Sequence, residues 1–473
     1  MSRASTTDAP VCIDLFAGAG GLAEGLMKAG IRVAASVELH PQAGLTHAFN
    51  HPDTNVLVGD IRELSLDVLD RAVREATGDS RVDLVVGGPP CQGFSSAGKK
   101  TESDPRNSLF RHFVRVIEHT RPRVFLMENV PGFKSRYGGS IYDEAVEAFS
   151  GLGYQTVDAI VAARDFGVPQ RRKRFVMVGW LAGEADPFEW PAATHHEVPQ
   201  PTLLAEGGSA LVSAGEALSD IAFLEPGYEA TQHVAEPTSH FQRQRRTGDF
   251  GHLFNHLATE HRAKAVQTFK LIEPGKGIRD VPLELRGTKK LTMARLSPER
   301  VANTIVSLPD DLLHYAHHRN LTVRECARLQ TFDDDFVFVG KRTSGFVERR
   351  VDVPQYTQVG NAVPPLLGEA LGRALLRSLG APVTDLRPIA ARRERHRLVC
   401  GSSAYAGYTL APDAKREIRL HTVYGDLLDL PITDSDRPVL DQPPLDYWKG
   451  RPNPRQGQWA PGIEPRANPS WMA

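Results

Sequence analysis

From Val11 to about residue 180, short apolar runs alternate with amphipathic stretches. Continuous apolar runs of this length read as strands covered on both faces, and segments with apolar residues three and four apart read as the covering helices. The runs Val11–Leu15, Val33–Val37, Asn55–Val58, Asp83–Val86, Arg123–Met127, Thr156–Ala162 and Arg174–Val178 are predicted as strands. Between them, Gly21–Ala29, Leu66–Ala76, Ser108–His119 and Tyr142–Gly151 are predicted as helices. Strand–helix repetition of this kind builds an α/β fold around a doubly wound sheet.

The pattern changes after Trp180. Residues 181–236 carry ten acidic residues and neither Lys nor Arg, whereas residues 237–300 carry thirteen basic against six acidic residues. Such a change of sign marks a separate functional surface. Helical periodicity returns at Leu321–Gln330, where Thr322 and Glu325 have the spacing of a capping box, and again over Pro365–Leu379. These breaks divide the chain into a first part of one domain (9–185), a smaller inserted domain (186–300), the second part of the first domain (301–380) and an extension (381–473). Within the extension, Tyr405–Leu410 and Ile418–Val423 are expected to be strands of a small accessory element. The Pro-rich end is expected to be flexible or draped on the surface.

Composition narrows the classes. With 473 residues, 41% hydrophobic and 24% charged, the chain has the make-up of a globular protein large enough for two or three cores. A net charge of −1 gives no overall signature of a polyanionic partner, so only the local basic stretch bears on one. The four cysteines (Cys12, Cys91, Cys326 and Cys400) form no C-x-x-C pair, which argues against a disulfide framework or a zinc site; no metal is expected. The first residues lack the apolar core of a signal peptide, and no run reaches the length of a membrane span. A cytoplasmic, nucleoid-associated monomer without a membrane partner is the expectation.

Candidate chemistry collects at the carboxyl ends of the predicted strands, where open α/β sheets bind ligands. Gly87-Gly88-Pro89-Pro90-Cys91-Gln92-Gly93-Phe94-Ser95 delivers a cysteine on a stiff Pro-Pro turn. A thiolate there is a strong nucleophile toward an electron-poor carbon, although an isolated cysteine more often packs as a small hydrophobe. Asp14-Leu15-Phe16-Ala17-Gly18-Ala19-Gly20-Gly21 opens the first helix without the G-x-G-x-x-G spacing of a dinucleotide site. Glu38 ends the second strand at the usual reach of ribose hydroxyls, and Asp60, beside Ile61 after the third, can accept from an adenine amino group. Phe16, Glu38 and Asp60 thus describe an adenosine pocket without a pyrophosphate clamp, which favours S-adenosylmethionine over a dinucleotide. Glu128 ends the fifth strand, placed to share a proton with a ring nitrogen. In Gln170-Arg171-Arg172-Lys173-Arg174, strand alternation sends Arg172 and Arg174 to one side. Gln358-Val359-Gly360-Asn361-Ala362-Val363-Pro364-Pro365 makes a turn before the last helix, with Pro365 suited to its first position.

These elements, in this order, resemble the DNA cytosine-5 methyltransferases, closely over 11–180 and 319–380. The resemblance implies a Rossmann-like S-adenosylmethionine-dependent methyltransferase domain with an inserted target-recognition domain. It implies that Cys91 attacks C6 of a flipped cytosine, that Glu128 engages N3, and that Arg172 and Arg174 bind near O2. Phe16, Gly18, Gly20, Glu38, Asp60, Ile61, Pro90, Leu109, Asn361 and Val363 would line the cofactor pocket. Double-stranded DNA would be the substrate, contacted by Ser95, Gln170 and the basic stretch with Arg243, Arg245 and Arg246, and a cognate restriction endonuclease would be a partner. Two rivals stand beside this: a tRNA cytosine-C5 methyltransferase and a catalytically idle DNA-binding protein. A nicotinamide dehydrogenase lacks its phosphate-loop spacing.

Overall fold

The computed structural model describes residues 9–90, 109–197, 208–246, 252–343, 353–400, 408–411, 413–428 and 430. Its centre is a twisted sheet with helices on both faces. In chain order the first elements are β1 (Val11–Leu15), α1 (Gly21–Ala29), β2 (Arg32–Glu38), α2 (Pro41–Asn50), β3 (Asn55–Val58), α3 (Leu66–Thr77) and β4 (Leu84–Gly87). They continue with α4 (Leu109–Thr120), β5 (Val124–Asn129), α5 (Ser140–Gly151), β6 (Tyr154–Ala162) and β7 (Lys173–Leu181). The strands lie in the order β3-β2-β1-β4-β5-β7-β6, and an eighth, His421–Thr422, is added beside β3. Strands β1 to β5 run parallel, while β7 lies antiparallel to both β5 and β6. Strand order reverses between β1 and β4, so the crevice at their carboxyl ends is the natural ligand site.

Each strand of the pattern is present within a few residues of its expected bounds. The pattern had no helix for α2, whose apolar positions are diluted by Gln42, Thr46 and His47. One face of the sheet is covered by α3, α4 and α5 around Phe113, Phe125 and Phe149. The other is covered by α1 and by Pro365–Leu379 (α11 below), around Leu26, Leu371 and Leu375.

The inserted segment holds short helices, α6 (Ala214–Leu218), α7 (His240–Arg245) and α8 (Ala263–Lys270). The chain then returns through α9 (Val323–Leu329), α10 (Gln355–Asn361) and α11 (Pro365–Leu379). Thr322 caps α9 with Glu325 in the expected reciprocal box, and α11 begins at Pro365. Packing does not break at residue 300: Ala214, Leu218 and Leu253 share one apolar cluster with Ile305, Leu321, Phe336 and Val359.

The extension begins as α12 (Ile389–Arg395) and is not a free appendage. Its accessory element differs from the sequence expectation in the partner of each strand. Thr409–Leu410 pairs with Val399–Cys400, whereas His421–Thr422 joins the main sheet parallel to β3. Leu398, Tyr408, Ile418 and Leu420 are buried against α2 and β3. The Pro-rich end lies outside the described residues. Among the described residues, no helix is long and apolar enough to cross a membrane.

Candidate active site

Four strand ends converge on the crevice. At β1, the chain leaves Leu15 into a turn in which Phe16 and Gly18 adopt positive φ, 58° and 57°. Glu38 at the end of β2 accepts from Gly18 N (2.8 Å) and His40 N (2.9 Å), which ties the glycine turn to the next strand. Burial raises the Glu38 pKa even though backbone N–H donors pull the other way. An added Cβ on Gly18 would meet nothing within 4 Å, so the turn borders open space, whereas one on Gly20 would strike His51. Asp60 follows β3 with its carboxylate partly exposed, and its pKa is lowered by the Arg62 side chain. Ile61 is buried, and its carbonyl accepts from Arg115 of α4 (2.8 Å).

The acid and one of the arginines meet. Arg174 Nε lies 2.6 Å from Glu128 Oε1, with both side chains about 15% exposed, so a buried-edge ion pair opens to the crevice. Glu128 also lies over the backbone of Gly88: a Cβ added there would come within 2.7 Å of Oε2. Asn129 Nδ2 donates to Pro89 O (3.1 Å). The end of β5 is therefore fitted against the Gly-Pro segment that leads to Cys91. Cys91 and Ser95 themselves lie outside the described residues.

Other expected residues are placed differently. Arg172 precedes the first residue of β7, so strand alternation does not govern it. It is 1% exposed and donates to the carbonyls of Ile305, Gly360 and Asn361, joining three segments rather than facing the crevice beside Arg174. Gln170 is fully buried, bonded to Leu329 O, Gln330 and Ile305 N, and is closed to DNA. Arg245 is 1% exposed, on Asp333 and Thr331 O, so it cannot follow a phosphate backbone, in contrast to the surface expected of the charge run. Arg246 is half-buried on Asp220. Arg243 is exposed, as is Asn361 at the end of α10; Pro90, Leu109 and Val363 are partly buried.

A second feature had no single-residue signal in the sequence. A cleft of about 410 Å³ lies between the segments 275–280 and 291–303. Arg171, Lys276, Arg279 and Arg300 line it and are exposed. The cleft adjoins the Glu128–Arg174 pair along the chain, because Arg171 N donates to Ala302 O (2.9 Å) and Ala302 N to Pro169 O (3.0 Å).

The chain is similar to known proteins in sequence and in fold. Residues 11–377 match the family described as C-5 cytosine-specific DNA methylase. The Type II methyltransferase M1.HphI of Haemophilus parahaemolyticus is 35% identical over 77% of this chain and 86% of its own. The Type II methyltransferase M.DdeI of Desulfomicrobium norvegicum is also 35% identical, over 77% of this chain and 88% of its own. Among solved structures, a DNA modification methyltransferase encoded within a prophage (E. coli) is similar with a TM-score of 0.61. It is 25% identical and covers 79% of this chain and 100% of that one.

Proposed function

From the premise that the chain belongs to the C-5 cytosine-specific DNA methylases, and is a DNA cytosine-5 methyltransferase, we propose how its residues divide the work. The observation that carries the reading is the Glu128–Arg174 pair set against the Gly88-Pro89 backbone, two residues before Cys91.

Cys91 attacks C6 of the target cytosine as thiolate. Cytosine is a poor electrophile at C6, so the attack needs Glu128 to engage N3 and the exocyclic amine, drawing electron density from the ring. Arg174 holds the Glu128 carboxyl in place and faces the O2 edge. Arg172 fixes the loop at Gly360 and Asn361 from behind. C6 is closed to in-line attack inside a stacked duplex, so the base is flipped out. Once C5 carries the methyl group, loss of its proton expels Cys91.

The family and fold imply S-adenosylmethionine, and the residues fit it: open space borders Gly18, and a carboxylate stands at each of the two following strand ends. When bound, it supplies an electrophilic methyl group. Phe16, Gly18, Gly20, Glu38, Asp60, Ile61, Pro90, Leu109, Asn361 and Val363 would hold it, with Glu38 on the ribose and Asp60 on the adenine.

Residues 9–185 and 301–380 form the catalytic domain, and 186–300 the target-recognition domain. The DNA backbone follows the cleft with Arg171, Lys276, Arg279 and Arg300, together with Arg243 and Ser95. Phosphate contacts there supply affinity, while base-edge contacts supply specificity. The Type II names of the relatives favour a restriction–modification setting, with a cognate endonuclease as functional partner; a monomer in the cytoplasm is part of the same proposal. Labelled S-adenosylmethionine incubated with duplex DNA or with tRNA tests the reading. Label in duplex DNA that disappears with Cys91→Ser, while DNA and cofactor binding persist, is expected; label in tRNA alone would refute it.

A further inference from the structure

We propose that the turn after His421–Thr422 completes the cofactor site, with the ring of Tyr424 as a contact for the adenine. This rests on the cofactor reading above. The match to the methylase family ends at residue 377, so the turn belongs to the part of the chain outside that match.

The strand His421–Thr422 is parallel to β3, with Thr422 opposite Val58. Its carboxyl end therefore emerges at the same edge of the sheet as Gly59 and Asp60. The turn is fastened there from both sides: Val423 N donates to Val58 O (3.1 Å) and Val423 O accepts from Ser65 N (3.3 Å). Gly59 has φ of +148°, and an added Cβ would lie 2.8 Å from Val423 Cγ2, so the close approach requires glycine. The Tyr424 hydroxyl donates to Glu63, which fixes the ring beside the Asp60 segment.

Despite this anchoring, Tyr424 is 58% exposed, and it is the one aromatic among the exposed large apolar side chains described. Leu39, the residue after Glu38, is 54% exposed at the end of β2. Strands β2, β3 and His421–Thr422 are neighbours, so their aligned ends, Glu38 and Thr422, are two strand spacings, about 10 Å, apart, with Leu39 one residue beyond the first and Tyr424 two residues beyond the second. The Asp60 segment lies between them. A leucine and an aromatic ring flanking the Asp60 carboxylate, which is held by Arg62 through both oxygens and whose remaining lone pairs can accept one more N–H, suit a flat ring bearing an amino group, which is the chemistry of adenine.

The test is calorimetric titration of the full chain, as wild type, Tyr424→Ala and Tyr424→Phe, with S-adenosylmethionine and separately with adenosine. The Ala variant should bind both about tenfold more weakly, and the Phe variant within about twofold of wild type. Thermal midpoint without ligand and affinity for duplex DNA should be unchanged. Wild-type affinity in Tyr424→Ala, an equal loss in Tyr424→Phe, or a parallel loss of duplex binding would each overturn the inference. A wild-type chain that binds neither ligand would instead overturn the cofactor reading on which it rests.

Discussion

At the scale of single residues, two neighbouring arginines separate chemistry from architecture. Arg174 pairs with Glu128 at the crevice, whereas Arg172 is enclosed on three backbone carbonyls. Arg172→Ala would leave those carbonyls without their donor, and about 3 kcal/mol of stability should be lost in denaturant unfolding. Arg174→Ala should leave the unfolding midpoint nearly unchanged and lower kcat. Glu128→Gln should lower kcat by about 10²-fold with duplex affinity retained, since it removes proton sharing at N3 but keeps the shape. If Glu128→Gln turns over normally, the acid has been misassigned. The placement of Glu128 and Arg174 was legible in the sequence because each lies next to the end or the start of an apolar run. The burial of Arg172, Gln170 and Arg245 was not, because a run of charge looks the same whether its partners are water or distant carbonyls and carboxylates.

At the scale of elements, close backbone approaches set the site. Gly88 lies under the Glu128 carboxylate, so Gly88→Ala should displace it and cost kcat at least tenfold while the chain stays folded, measured by steady-state methyl transfer with a thermal control. On the opposite face, α1 and α11 touch at Gly25, where an added Cβ would lie 2.3 Å from Pro365 O. Gly25→Ala should therefore lower the thermal midpoint, despite the better helix propensity of alanine. The strands were readable because buried parallel strands are nearly uninterrupted apolar runs. Helix α2 was hidden by polar residues that find buried partners only in the fold: Thr46 on Gln358 and Asn50 on Val337 O and N, with His51, just past its end, on Glu24. The basic cleft was legible as a charge balance over 237–300, but its side chains come together through the pairing of residues 275–278 with 293–296, and Arg171 joins them through the pairing of residues 169–171 with 302.

At the scale of the whole molecule, the segment after α11 is tied to α1 and to residues 333–335 through buried charge. Arg392 bonds to Glu24 (2.7 Å), Asp335 (3.3 Å) and Asn50 O (3.1 Å), and Arg387 reaches Asp333. Arg392→Ala would strand buried carboxylates and should cost about 3–5 kcal/mol in denaturant unfolding. Burial also depresses the pKa of His47, His51, His256, His314 and His396, with His256 and His396 brought down to about 4. In the unfolded chain these groups titrate near 6.5, so below that pH the unfolded state binds more protons and stability falls as pH falls. Burial acts in the opposite sense on Asp14, Glu38 and Asp335, the last raised to about 6; the native state takes up protons there, but these groups are fewer than the histidines. The thermal midpoint should therefore drop between pH 7.5 and 5.5; a flat or rising profile would contradict this balance. The central claim is that the whole molecule extrudes a cytosine and joins it to Cys91. It is tested most directly by incubating the full chain with S-adenosylmethionine and duplex DNA carrying 5-fluorocytosine at the methylated position, where the fluorine cannot leave as a proton does. Peptide mass spectrometry should find the methylated base bonded to Cys91. An adduct on another residue, or no adduct while ordinary DNA is methylated, would contradict the account.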